Sequence, residues 1–161
     1  MQYVTLGKTE LRVSRVALGL ALRGQPCADA AQRLIEQAID RGITMIDCAN
    51  VYQLQSATLH AHARSQEILG RALAHSREEV VITNKVGIAG GPGSGEGGCS
   101  RHSNTEQLDL SLTALGTDYV DLCLAMISPM ETQGVAWKPM QTAYRQIAAH
   151  QSPTPLLPRA T

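Results

Sequence analysis

Two side chains of opposite charge close neighbouring apolar runs of this sequence and could form a reactive polar site. The stretch from Gly42 to Gln53 reads GITMIDCANVYQ, and its apolar run closes on Asp47. The later run VVITNK closes in the same way on Lys85. If the two runs are parallel strands, their carboxyl ends lie at one edge and the two charges face each other there. A charge at a strand end is equally compatible with simple solvation, so position alone leaves both interpretations open.

Composition indicates one compact domain that binds neither nucleic acid nor membrane. The 161 residues include 14 basic and 14 acidic side chains, and 43% of the residues are hydrophobic. Balanced charge provides no electrostatic footprint for nucleic acid or for an anionic bilayer. The first residues lack the features of a signal peptide, and no apolar run approaches the roughly 20 residues that a bilayer requires. We therefore expect a cytoplasmic protein.

The cysteines and histidines do not predict a metal site. His60 and His62 form an H-x-H pair, but no acidic residue or cysteine beside them completes a ligand set, and a polar loop explains them better. The cysteines are far apart and form no C-x-x-C pair, which favours reduced thiols over a disulfide framework. They are Cys27, Cys48, Cys99 and Cys123.

The pattern of apolar residues predicts a hairpin followed by alternating strands and helices. YVTLGKTELRVS alternates around Gly7 and Lys8, which is typical of a short β-hairpin. Four apolar runs then predict strands over residues 16–20, 43–47, 80–85 and 119–125. Three helices lie between them, and their start and stop signals are, in chain order, Asp29 with Gln32 and Gly42, Ser65 and His75, and Ser103 with Glu106 and Gly116.

This alternation predicts parallel βαβ units, and therefore an α/β fold with all strand C-termini at one edge. The sheet could be open and doubly wound, or it could be part of a barrel. In both architectures, functional sites form beyond the carboxyl ends of the strands. Asp47 and Lys85 are expected at that edge.

Several segments together resemble the aldo-keto reductases, which are NAD(P)H-dependent oxidoreductases built as (β/α)8 barrels. The segments cover about Tyr3 to Leu124 in family order: YVTLGKTELRVS, ALGL, GITMIDCANVY, SQEILGRAL, VVITNKVG and SLTALGTDYVDL. The resemblance implies a partial (β/α)8 TIM barrel of about four βα units, preceded by the N-terminal β-hairpin. We assign this half-barrel to residues 1–126. Residues 127–161 are expected to form a divergent tail with a short helix and a proline-rich end.

The resemblance also implies which residues carry the chemistry. The family pattern D-T-A-x-x-Y reads here from Asp47 to Tyr52, and the strand-ending lysine of the family is Lys85. Tyr52 would protonate the oxygen of a small carbonyl substrate, and Lys85 would assist because a free phenol, with a pKa of about 10, is a poor acid at neutral pH. Asp47 would hold Lys85 and lie near the ribose of NADPH. Gly19, in ALGL, is also expected to contact the cofactor.

Two departures from the family pattern limit the expected activity. The pattern D-L-Y-x-x-H ends here on Met126, whose thioether cannot donate a hydrogen bond to the substrate carbonyl. A full barrel needs about 250 residues, and this chain supplies four strands. We therefore predict a truncated carbonyl reductase that is weak or inactive as this chain. The alternative is a non-catalytic half-barrel that self-associates or binds a partner through its open strand edges.

Two further motifs have more than one interpretation. Gly93, Gly95 and Gly98 spell G-x-G-x-x-G, but they begin well after Lys85, so a flexible loop is favoured over a dinucleotide fingerprint. Cys48 stands where the family has threonine. It could be a reactive thiol, although a small buried side chain is the usual role of such a residue.

Overall fold

The computed structural model describes residues 1–22, 24–54, 65–87 and 100–125. Several predicted features lie outside these residues and are not tested by the structure. They are Met126, the tail over 127–161, the H-x-H pair, Cys99 and the glycine-rich loop.

The predicted N-terminal hairpin is confirmed. Strands β1 (Tyr3–Thr5) and β2 (Arg12–Ser14) pair antiparallel. The turn between them contains Gly7 with a φ of +57°, a conformation that glycine adopts without steric cost. Ser14 attaches the hairpin to the main sheet, because its Oγ accepts the backbone N–H of Thr44 at 3.0 Å and that of Met45 at 3.3 Å.

The main sheet contains four parallel strands in chain order, and this confirms the predicted α/β alternation. A helix lies between each strand and the next in the chain. The elements are β3 (Ala17–Gly19), α1 (Ala28–Asp40), β4 (Met45–Ala49), α2 (Ser65–Ala72), β5 (Val81–Val86), α3 (Arg101–Leu115) and β6 (Leu122–Ala125).

One face of the sheet packs against the helices and forms the hydrophobic core. Ile46 of β4 and Ile82 of β5 are buried there with Leu69 of α2 and Leu108 of α3. Because successive side chains of a strand point to opposite faces, the residues directly before and after Ile46 in β4 and Ile82 in β5 face away from the helices. The helix-covered face therefore provides the stability, and the opposite face is left for other side chains.

The first strand of the main sheet is less buried than predicted. The run over residues 16–20 was expected to be buried, but β3 is shorter and Val16 is 54% exposed. Among the described strands, β3 has only β4 as a neighbour. An edge strand with one neighbour buries fewer of its side chains, and here Leu20, just after the strand, is the residue that enters the core.

The predicted helix stops are largely confirmed, whereas the predicted N-terminal cap of α1 is wrong. Gly42 and Gly116 follow α1 and α3 with φ values of +88° and +65°, as expected for glycines that end helices. The predicted cap of α1 by Asp29 with Gln32 does not form, because the helix starts one residue before Asp29 and makes no side-chain cap. Helix α2 starts at Ser65 as predicted but ends at Ala72, before His75.

The N-cap of helix α3 lies three residues before Ser103, the N-cap that the predicted capping box with Glu106 implies. Ser100 is the N-cap, and its Oγ accepts the backbone N–H of Ser103 at 3.1 Å. Ser103 thus lies inside the helix, where its side chain is buried and hydrogen-bonds to Gln107. The capping-box prediction is therefore wrong because the true cap lies three residues upstream.

An ion pair fastens the sheet at the N-terminal ends of β5 and β6. Arg77 contacts the carboxylate of Asp121 at 2.8 Å, and both side chains are 15% exposed. The same Asp121 oxygen accepts the backbone N–H of Ile82 at 2.8 Å. Arg77 also stacks over the ring of Tyr119, 4.0 Å from its centroid. These contacts fix the start of β6 against the start of β5, at the end of the sheet far from Lys85.

Helices α2 and α3 approach each other closely at Gly70. A Cβ added to Gly70 would stand 2.5 Å from the backbone oxygen of Leu115. That atom belongs to the last residue of α3 and cannot move without moving the helix end. Glycine is therefore required at this helix crossing.

We expect Gly70→Ala to destabilise the protein by about 1–3 kcal/mol, because the new methyl group overpacks the crossing. The same exchange at an open helix position ordinarily stabilises by about 0.5–1 kcal/mol, so the sign itself is informative. Urea denaturation followed by circular dichroism measures the effect. Gly19→Ala is the control, since no heavy atom lies within 4 Å of its added Cβ. A stabilising Gly70→Ala would contradict the close approach of the two helices.

Candidate active site

The pairing of β4 with β5 brings the predicted carboxylate and ammonium to one face of the sheet. Ala49 pairs with Lys85, and Asp47 pairs with Thr83 two residues earlier. Asp47 and Lys85 therefore lie on the same face, one pleat apart, on the side away from the helices. Strand β4 does not end at Asp47, as predicted, but continues to Ala49, because Ala49 still takes part in the ladder with β5.

Lys85 is the centre of the site, because its Nζ binds two other predicted residues. The ammonium donates to Oδ2 of Asp47 and, at 3.2 Å, to Oη of Tyr52. It also lies 5.0 Å from the centroid of the Tyr52 ring. The side chain of Lys85 is 14% exposed and that of Asp47 is 30% exposed, so the cluster is sheltered yet open on one side. The structure thus brings Asp47, Tyr52 and Lys85 into one hydrogen-bonded group.

Tyr52 reaches this group from the loop that follows β4. Its backbone N–H donates to Ala49 O at 3.1 Å, which forms a tight turn directly after the strand. Its own carbonyl accepts the N–H of Ser65 at 3.0 Å, at the start of α2. The loop is thus held at the strand end and at the helix start, and both contacts fix the position from which the phenol extends.

The environment keeps Lys85 protonated. Burial alone would lower the pKa of Lys85, but its hydrogen bonds to Asp47 and Tyr52, together with the charge of Asp47, outweigh burial and raise the pKa above its ordinary value. A lysine with a raised pKa carries a full positive charge at neutral pH. It can therefore stabilise a negative charge on a neighbouring oxygen.

Gly19 lies beside this group on the neighbouring strand. It pairs with Asp47 across β3 and β4, and the N–H of Leu20 donates to Asp47 O at 2.8 Å. Gly19 is exposed, and the space where a side chain would stand is open. Of the predicted site residues, Gly19, Asp47, Tyr52 and Lys85 are thus neighbours, and Met126 lies outside the described residues.

Cys48 faces the helices and not the site. Its side chain is fully buried, and its thiol donates to Oδ1 of Asn84 at 3.5 Å. Burial, with a smaller contribution from the negative charge of Asp47, raises the pKa of Cys48 to about 12. Of the two interpretations of this residue, the structure supports the small buried side chain, because a thiol with this pKa is almost never ionised at neutral pH.

A layer of buried amides beneath the site was not recognised in the sequence. Gln66 of α2 donates to Asn84 of β5 at 2.8 Å, and Asn50, directly after β4, donates to Gln107 of α3 at 2.7 Å. All four side chains are at most 2% exposed. The signal in the sequence was the i, i+4, i+8 spacing of Ser103, Gln107 and Ser111, which places polar side chains beside the apolar face of α3.

Neither a cluster of metal ligands nor a membrane-spanning helix occurs among the residues that the structure describes. Within residues 1–22, 24–54, 65–87 and 100–125, no group of three or more histidine, cysteine or acidic side chains is arranged to hold a metal ion. Over the same ranges, no helix has both the length and the hydrophobicity needed to span a membrane.

Comparison with protein families identifies one match, described as the aldo/keto reductase family, over residues 15–149. Two plant proteins, from Arabidopsis thaliana and Oryza sativa subsp. japonica, are each 35% identical over 127 residues. Both are described as a probable voltage-gated potassium channel subunit beta. The alignments cover 76% of this chain but only 36% of each plant protein.

Comparison with solved structures identifies the fold as about half of a TIM barrel. An aldo-keto reductase from Bacillus halodurans in its holo form matches with a TM-score of 0.76 at 24% identity, covering 94% of this chain and 47% of that one. A thermostable aldo-keto reductase in complex with the inhibitor epalrestat matches with a TM-score of 0.70 at 23% identity, covering 93% and 50%. The predicted partial barrel is thereby confirmed.

We expect iodoacetamide at pH 8 to modify Cys27 rapidly and Cys48 only after denaturation. Cys27 is exposed, whereas Cys48 is buried, and with a pKa of about 12 only about one thiol in 10⁴ is ionised at that pH. Peptide mass spectrometry after timed alkylation measures both sites in one sample. A urea-denatured sample provides the control for intrinsic reactivity. Equal labelling of Cys48 and Cys27 in the native protein would contradict the burial of the Cys48 side chain in β4.

Proposed function

Because the chain belongs to the aldo/keto reductase family, we propose that Asp47, Tyr52 and Lys85 form the proton-transfer part of an NADPH-dependent carbonyl-reducing site. The observation that carries this proposal is the position of Lys85 Nζ, which binds Tyr52 Oη at 3.2 Å and also the Asp47 carboxylate. The chain spans 36% of the length of its plant relatives and about half of the solved reductases. The proposal therefore concerns the chemistry that this part of the barrel can supply.

Tyr52 is the proposed general acid. Reduction of an aldehyde or ketone places negative charge on the carbonyl oxygen, and that oxygen must receive a proton. The phenol Oη carries such a proton, and its contact with the Lys85 ammonium stabilises the phenolate that remains. The small carbonyl substrate would accordingly bind with its oxygen against Tyr52, on the open side of the cluster.

Lys85 and Asp47 support the acid. The raised pKa of Lys85 keeps the ammonium charged while Tyr52 loses its proton. Asp47 balances that charge and orients the ammonium through its Oδ2. Two opposite charges that bind each other at a sheltered strand end need no rearrangement when charge develops on the substrate, which is the property that makes a preorganised site effective.

The described residues fit one end of a nicotinamide cofactor. Asp47 uses one carboxylate oxygen for Lys85 and is 30% exposed, so its other oxygen can accept a hydrogen bond from a ribose hydroxyl. The open space at Gly19, next to Asp47, allows a ligand to approach the backbone. When bound, NADPH would supply the hydride. Asp47 and Gly19 would hold its sugar, and Tyr52 would supply the proton.

We expect this chain to reduce an activated aldehyde with NADPH weakly or not at all, and any turnover to depend on Tyr52. Tyr52→Phe removes the phenolic proton and should lower the rate by about 10²–10⁴-fold, or to background where the starting rate is low. Absorbance at 340 nm measures the loss of NADPH.

Tyr119→Phe is the matched control for this assay. Tyr119 stacks on Arg77 at the other end of the sheet, and its ring is kept in the variant. It should leave the rate unchanged. Turnover that survives Tyr52→Phe would contradict the assignment of the acid. Absence of turnover in the unmodified chain would favour the second candidate function.

The second candidate is a non-catalytic half-barrel that associates through its open strand edges. Among the described strands, β3 and β6 each have a neighbour on one side only. Leu124 of β6 is 45% exposed and faces the same side as Lys85, with which it pairs. Two copies that pair β6 with the partner's β3 would supply eight parallel strands, the number that closes a TIM barrel. The plant relatives' description as a channel subunit is compatible with such a binding role.

If the edges mediate self-association, Leu124→Lys should weaken the dimer at least about tenfold, because closure would bury a charge. Sedimentation velocity over a range of concentrations measures the association. Leu110→Lys on α3 is the control, since Leu110 is 39% exposed and belongs to a helix and not to an edge strand. A well-folded chain that stays monomeric at all concentrations would contradict this candidate.

A further inference from the structure

A fully buried amide, that of Gln107, lies beneath the candidate active site, and its hydrogen bonds go to residues other than Tyr52 and Lys85. Its side chain is 0% exposed, in the middle of α3. The buried residues of this helix also include Leu108 and Leu115. Burying a polar side chain among apolar ones costs free energy unless its hydrogen bonds are made. The contacts of Gln107 therefore indicate why an amide stands there.

The carbonyl oxygen of this amide joins two loops. Oε1 of Gln107 accepts two hydrogen bonds, one from Nδ2 of Asn50 at 2.7 Å and one from the backbone N–H of Gly87 at 2.7 Å. On its other side, Nε2 donates to Oγ of Ser103 at 2.8 Å. A backbone N–H can only donate, so the oxygen and not the nitrogen must face Gly87. The orientation of the amide is thus fixed by its partners.

One loop carries Tyr52 of the proposed site, and the other directly follows the strand that carries Lys85. Asn50 stands two residues before Tyr52, and its backbone N–H donates to Lys85 O at 3.3 Å. Gly87 stands two residues after Lys85, where the chain turns with a φ of +88°. A single atom of α3, Oε1 of Gln107, therefore holds the chain two residues before Tyr52 and two residues after Lys85.

We propose that Gln107 is a positioning residue, which sets the distance between Tyr52 Oη and Lys85 Nζ by tying the loop after β4 and the loop after β5 to α3. This inference rests on the proposed function of the pair, because it assigns Gln107 a role in holding that pair. Gln107 acts through Asn50 and Gly87 and does not touch the substrate. No apolar residue of similar size could replace it, since none accepts two hydrogen bonds at one atom.

Lysine NMR tests this inference without cofactor or turnover. In protein with ¹³C-labelled lysine, which includes Lys8, Lys85 and Lys138, the titration of the Cε signal of Lys85 reports its pKa. Gln107→Met keeps the size of the side chain and removes the acceptor. We expect the pKa of Lys85 to fall towards its ordinary value in this variant and the nuclear Overhauser contact between Lys85 and the Tyr52 ring to be lost.

Ser111→Ala is the matched control. Ser111 is buried one turn along the same helix, and it donates to the backbone oxygen of Gln107 and not to either loop. Its loss perturbs α3 but should leave the Lys85 titration and the Tyr52 contact unchanged. Equal effects of both variants would show that Gln107 serves only the stability of the helix, and unchanged signals in Gln107→Met would overturn the inference directly.

Asn50→Ala keeps the inference testable if Gln107→Met does not fold. It removes the link from Gln107 to the Tyr52 loop and leaves the link to Gly87 in place. The contact between Lys85 and the Tyr52 ring should be lost, while Lys85 stays bound to Asp47 and keeps a pKa above its ordinary value. A retained Tyr52 contact would overturn the inference. Because each readout is a property of the protein alone, the absence of reductase turnover would count against the proposed function and not against this positioning role.

Discussion

The parallel register of β4 and β5 is the constraint on which the candidate site depends. With Ala49 opposite Lys85, the ammonium meets the carboxylate of Asp47 on the face away from the helices. A shift of one residue would turn Lys85 towards the core, where Ile82 and other apolar side chains lie, and would leave a buried charge without a partner. The hydrophobic packing of the helix face therefore holds Asp47 and Lys85 on the opposite face, because it opposes a one-residue slip of the register.

Buried amides add directional contacts to this packing where the strands end. Apolar contacts resist separation but do not define the angle at which a loop leaves a strand, whereas hydrogen bonds do. Two such amide pairs, Gln66 with Asn84 and Asn50 with Gln107, link the sheet near the strand ends to helices α2 and α3. A tyrosine on a loop has more freedom than a lysine within a strand, so Tyr52 is the member of the candidate site that gains most from such support.

The sequence predicted those features that depend on local periodicity and on the geometry of parallel strands. The hairpin, the alternation of strands with helices and the meeting of Asp47 with Lys85 are of this kind. The prediction that Ser103 caps α3 was wrong because Ser103 and Glu106 form a complete capping-box pattern, whereas Ser100, the actual N-cap, is a single serine beside a glycine-rich stretch. Gln107 was missed because its partners stand 20 and 57 residues away, and the helical spacing of Ser103, Gln107 and Ser111 marks a polar stripe without showing what it binds.

The ion pair of Arg77 with Asp121 has a consequence for how this sheet can change. It fastens β5 to β6 at the strand starts, whereas the reactive groups stand at the strand ends. In barrels of this type, the first end carries the stability and the second carries the chemistry. Substitutions near Lys85 can therefore change the side chains at the strand ends while the Arg77–Asp121 pair keeps the strand starts aligned, so mutational tolerance in this chain should differ between the two ends of the sheet.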